Sequence, residues 1–97
     1  MVLIRKTNLF MKWLTGLRDQ KAIARIQIRI DRLALGNPGD VRPVGSGISE
    51  MRIDYGPGYR VYFSQRGSEI VILLCGGDKT TQTSDIEKAK RVNEGVQ

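Results

Sequence analysis

Histidine is absent from this 97-residue chain, and with it the side chain that ordinarily moves protons near neutral pH. Proton transfer, if there is any, must fall to Lys, Tyr, Glu, Asp or the substrate itself. Cysteine occurs once, at Cys75. A lone thiol rules out an internal disulfide, agrees with a reducing compartment and, without histidine, leaves no ordinary zinc ligand set. No cofactor is therefore expected. Long apolar runs are missing too: no stretch of about 18 apolar residues exists to cross a membrane. The opening "MVLI" meets a basic pair too soon to be a signal-peptide core, so the expected address is the cytoplasm. Acidic residues are the last shortage, ten against sixteen Lys and Arg, for a net charge of +6. Such an excess suits a polyanionic partner, either nucleic acid or an acidic protein.

What is present reads as one α+β domain over residues 1–97, because two cores would each be too small to stand alone. "MVLIRKT" is a short opening strand. A helix is expected from about Asn8 to Arg18, with Phe10, Trp13, Leu14 and Leu17 forming one apolar stripe. A second is expected from about Gln20 to Leu35, burying Ala22, Ile23, Ile26, Ile30 and Leu33 and closed by Gly36. So short a connection makes the pair a helical hairpin. The segment "GNPGDVRPVGSG", Gly36 to Gly47, holds two of the three prolines and reads as a loop. Strands follow at Ile48–Tyr55, Tyr59–Gln65 and Glu69–Cys75, joined tightly enough to form an antiparallel meander. A last helix is expected from about Asp85 to Glu94, with Ser84 and Glu87 at capping-box spacing and Gly95 as its stop. The order is β-α-α-β-β-β-α.

The stretch "EMRIDYGPGYRVYF" carries the most chemistry. With Gly56-Pro57-Gly58 as a three-residue connection, Met51 would face Phe63 and Ile53 would face Val61 on an apolar side. The other side would pair Asp54 with Arg60, Arg52 with Tyr62 and Glu50 with Ser64. An Asp54–Arg60 pair has a plain reading as an ordinary cross-strand ion pair, worth a few tenths to about 1 kcal/mol. The strand "IVILLC" is apolar on both faces, as a strand covered on both sides should be. Cys75 reads as a small buried residue without chemistry. Beyond it "GGDKTTQ" would free the backbone and let Lys79 reach over the polar face. Lys21, Arg25, Arg29 and Arg32 form a basic stripe on the second helix, which is a solvated face or a nucleic-acid grip.

These pieces together, "F..WL..L.D", "GN.GD", "GPGYRVYF" and "GGDK..Q..DI..A", resemble the RelE/ParE toxin superfamily, most closely the HigB-type addiction-module killer proteins. The resemblance spans nearly the whole chain and implies a RelE-like antiparallel sheet packed on a helical hairpin. It implies the toxin of a bacterial type II toxin–antitoxin pair, a ribosome-dependent mRNA endonuclease in which the 2′-hydroxyl attacks the adjacent phosphate. Arg52, Arg60 and Lys79 fall on its catalytic basic positions. An arginine fork suits the extra charge on the phosphoryl oxygens. Glu50 would be one of the RNA-binding residues, orienting Arg52 or acting as base. Tyr62 would stack on a splayed base or complete the sheet, and the basic stripe would grip ribosomal RNA in a salt-sensitive way. The implied partners are a helix-turn-helix, HigA-like antitoxin, the ribosome with its mRNA, and operator DNA through the antitoxin, with no membrane. Ile86 stands where RelE-like members often carry tyrosine, and the histidine common near the end of HigB-like members is missing. The same resemblance admits a ParE-like DNA gyrase inhibitor without nuclease activity, or an inactive toxin acting as corepressor.

Overall fold

The computed structural model describes residues 1–96. The chain runs β1 (Leu3–Lys6), α1 (Asn8–Thr15), α2 (Gln20–Ala34), β2 (Val41–Gly45), β3 (Ile48–Ile53), β4 (Tyr59–Arg66), β5 (Ile70–Asp78), a 3-10 turn (Lys79–Thr81) and α3 (Gln82–Gly95). Its five strands form one sheet in the order β1-β5-β4-β3-β2. The α+β class is as expected, but the sheet is mixed and not antiparallel throughout, because β1 lies parallel to β5.

Local chemistry sets the helices. The Thr7 hydroxyl accepts from the Phe10 amide at 3.0 Å and donates to the Leu74 carbonyl at 2.7 Å, so one side chain starts α1 and ties it to β5. Asp19 caps α2 by accepting from the amides of Lys21 and Ala22. The expected stripes are buried: Phe10 and Leu14 from α1 meet Ile26, Ile30 and Leu33 from α2 over Met51, Ile53, Val61, Phe63, Val71 and Leu73 of the sheet. α1 ends at Thr15, short of Arg18, with the Gly16 amide closing on the Lys12 carbonyl.

A second core fills the opposite side. There Ile48, Tyr62, Ile72, Leu74 and Cys75 pack against Ala89 of α3, with Ile86 and Val92 alongside. Neighbouring residues of β5 thus serve opposite cores, which is why that strand is apolar on both faces. Arg66 of β4 donates to Asn93 and to the Val96 carbonyl, pinning the far end of α3. α3 begins at Gln82, earlier than the Ser84–Glu87 capping box would have it, and Ser84 donates to the Thr81 carbonyl instead.

Two sequence expectations are corrected. The segment read as a loop contains β2, which pairs antiparallel with β3. Pro43 is tolerated because β2 is the sheet edge. Ser46 and Gly47, both at positive φ, close the hairpin in the two-residue manner that matches strand twist. The β3–β4 register also differs: Ile53 faces Tyr59, so the connection is Asp54 to Gly58 and each pairing moves by two residues. A shift of two leaves every side chain on its expected face. It changes who faces whom: Met51 meets Val61, Glu50 meets Tyr62, and Arg52 meets Arg60.

Candidate functional site

The register places two arginines directly opposite each other on one face, an arrangement that is destabilising unless an anion lies between or beside them. Arg60 is only 5% exposed, and its Nε has no hydrogen-bond partner among the described residues. Arg52 is half-buried; its Nε lies 3.7 Å from Glu50 Oε1, an ion-pair distance, and it too has no hydrogen-bond partner among the described residues. The two arginines open into a cleft of about 340 Å3 lined also by Asp40, Ile53, Asp54, Gly58 and Lys79. Arg52, Arg60 and Lys79, the basic residues singled out from sequence, are therefore brought together.

Lys79 arrives by a route other than the expected hinge. Gly76 and Gly77 lie within β5 and have ordinary backbone angles. They are glycines for space: a Cβ on Gly76 would overlap the Trp13 ring, and one on Gly77 would overlap the Asp85 carboxylate. β5 can then run to Asp78, which caps the 3-10 turn by accepting from the Thr80 amide at 2.8 Å. The Thr80 hydroxyl, also bound to Asp78, helps hold that carboxyl below its ordinary range. The turn sets Lys79 beside Gly58, whose positive φ of 81° closes the β3–β4 connection.

Glu50 lies beneath the cleft, not in it. It is 1% exposed, and its Oε2 accepts from the Tyr62 hydroxyl at 3.1 Å and from Gln82 Nε2 at 2.7 Å. That leaves no surface for the RNA contact expected of Glu50: its Oε1 lies 3.7 Å from Arg52 Nε, and two donors hold the carboxylate there. For Tyr62, of the two expectations, burial removes the stacking one. It is fully buried and has no ring face to offer a base. Burial first, and then the neighbouring Glu50 charge, raise its phenol well above the ordinary value. Ile86, at the position noted for its missing tyrosine, packs in the second core.

The expected pair of Asp54 with Arg60 does not form. Asp54 lies past the end of β3, exposed at the cleft rim. The basic stripe on α2 divides. Arg29 donates to the carbonyls of Arg52 at 2.6 Å and Pro38 at 3.0 Å, so it braces the fold and is not a free cation. Arg25 sits 4.7 Å over the Tyr55 ring, whose hydroxyl donates to Asp19. Arg25 and Arg32 line a second groove with Ile28, Ile53 and Asp54. Lys21 is exposed and lines neither hollow. Sequence reading missed Asp40 and Gln82. Asp40 gave no signal inside an apparent loop, and Gln82 could be found only once α3 was seen to start there.

Comparison with known proteins corrects the resemblance. Residues 12–94 match the model of the family described as phage derived protein Gp49-like (DUF891). A Haemophilus influenzae (strain Rd) protein, described as uncharacterized, is 52% identical over 87 residues, covering 90% of this chain and 88% of that one. The Gp49-like family is distinct from the RelE/ParE and HigB group, although some classifications relate it to RelE-like toxins. The quoted motifs misled for a physical reason, because much of them specifies architecture: positive φ at Gly56 and Gly58, burial of Tyr62, clearance at Gly76 and Gly77. The chain belongs to the Gp49-like phage-derived family.

Proposed function

We propose that this protein is a toxin-like endoribonuclease that arrests translation by cutting mRNA on the ribosome, with the Arg52–Arg60–Lys79 cleft as its active site. One observation carries the reading: two facing arginines, neither of whose Nε atoms has a hydrogen-bond partner among the described residues, open onto a hollow that Lys79 also lines. A phosphodiester would supply the anion that Arg60, unlike Arg52, lacks. Family membership supports the toxin-like part, since some classifications relate the Gp49-like family to small bacterial toxins.

The chemistry needs neither histidine nor metal. The substrate 2′-hydroxyl attacks the adjacent phosphorus, forming the 2′-O–P bond while the P–O5′ bond breaks. A cyclic phosphate and a free 5′-hydroxyl result. Arg52 and Arg60 hold the two phosphoryl oxygens, whose charge grows in the transition state. Glu50, held by Tyr62 and Gln82, aims Arg52. With Glu50 engaged, the 2′-hydroxyl proton goes to one of the rim carboxylates, Asp40 or Asp54, and the Lys79 ammonium protonates the leaving 5′-oxygen. The basic surface also suits an acidic partner protein that would cover the cleft and silence it.

Primer extension on a defined mRNA in a reconstituted translation system tests the proposal. Wild-type protein should cut only when ribosomes are present, and Arg60→Ala should cut about 100- to 1000-fold more slowly. Intact mRNA with the wild-type protein, or undiminished cutting by Arg60→Ala, would overturn it.

A further inference from the structure

The second groove lies next to the cleft and shares Ile53 and Asp54 with it. It has a volume of about 290 Å3 and is lined by Arg25, Ile28, Arg29 and Arg32 of α2. Its cations are not equivalent, since Arg29 is turned inward onto backbone carbonyls. Arg25 and Arg32 stay exposed, seven residues apart on one helix face, which is about 10 Å along the axis. Between them Ile28 is 49% exposed, an apolar patch within a cationic rim. Arg25 is held over Tyr55, which is anchored in turn by Asp19, so its position is preset.

We propose that this groove is a subsite for single-stranded RNA flanking the cut, in which Arg25 and Arg32 each take a backbone phosphate and Ile28 meets the base between them. The inference rests on the reading of the neighbouring cleft as the place of cleavage and extends it to a substrate several nucleotides long. Charge, spacing and continuity with the cleft favour a strand that passes from one hollow into the other. Asp54 at the junction repels phosphate, so the chain is expected to cross there through a sugar.

The test is binding of an eight-nucleotide RNA, made uncleavable by a 2′-deoxy sugar at the cut, followed by fluorescence anisotropy across a range of NaCl. Losing two phosphate contacts from a single strand should lower the slope of log K against log salt by about 1.4. Arg25→Ala/Arg32→Ala should show that loss, and Arg91→Ala on α3 should not. Circular dichroism of the double variant, and the single Arg32→Ala with an expected loss of about 0.7, guard against a folding defect at the Arg25–Tyr55 contact. An unchanged slope in the double variant would overturn the subsite. So would a hexaglutamate peptide that binds as tightly as the RNA and weakens equally, which would mark an acidic-peptide site. Arg60→Ala in the same assay separates the two claims. If its slope is unchanged while the groove variant's falls, the subsite stands and the cleavage reading fails.

Discussion

Arg60 costs the folded state something, because a guanidinium is buried with an unbonded Nε and faces a second arginine. Replacing a poorly compensated buried charge with an apolar side chain of similar volume is commonly neutral or stabilising. Arg60→Met should therefore melt at or above the wild-type temperature while losing cleavage, a split measured by thermal denaturation beside the primer-extension assay. A residue that served the fold alone would lose both. Tyr62 has the opposite character. Burial, with Glu50 beside it, raises its phenol above the ordinary value of 10.0, and burial, with Asp85 nearby, pushes the Cys75 thiol from 9.0 up to about 12. Both are held neutral, so their stabilisation is complete below the unfolded values and drains away as pH rises through and beyond them. The melting temperature should fall from about pH 9 upward. Tyr62→Phe/Cys75→Ala should start lower at pH 7, by about 1 kcal/mol for the lost hydroxyl bond plus packing losses, and decline less steeply. An equally steep decline would place the alkaline transition elsewhere in the molecule.

At the scale of elements, α2 and β5 carry the site in different ways. α2 presents four basic residues, yet only Arg29 is built into the backbone around β3. Arg29→Ala should cost about 2–3 kcal/mol, since charged hydrogen bonds are lost and carbonyls are left bare. Lys21→Ala should stay within about 0.5 kcal/mol, and chemical denaturation of the two variants side by side decides it. β5 reaches the cleft because Gly76 and Gly77 let Trp13 and Asp85 close over it from opposite sides. Gly77→Ala must displace the Asp85 carboxylate and lift the start of α3, where Gln82 supports Glu50. A loss of about 1–3 kcal/mol is expected, together with slower cleavage through the loosened Glu50. Full retention of both stability and activity would show that α3 is free to shift. The periodicity of α2 was legible because a 3.6-residue repeat survives any context. β2 was not, because glycine and proline signal a loop unless the strand is known to lie at an edge, and edges exist only once the sheet has assembled.

The whole molecule is a five-stranded sheet between two cores, and α3 closes the second. A chain ending at Asp78 would bare Ile48, Tyr62, Ile72, Leu74 and Cys75 together, a surface larger than a soluble monomer tolerates. Light scattering should find that truncation aggregated, whereas Arg66→Ala, which frees only the helix end, should remain monomeric. By itself the sequence determined the α+β class, the two consecutive helices before the sheet, the faces of β3 and β4, and the identity of the basic residues that meet, because these follow from hydrophobic period and residue chemistry along short stretches. Only the tertiary structure decided that Arg52 faces Arg60, that Glu50 and Tyr62 are buried beneath them, and that the α2 arginines divide between brace and groove. Those facts depend on a turn two residues longer than its glycines suggest and on α3 starting at Gln82 over the polar face. Both are set by how separate elements fit, which no local pattern in the chain encodes.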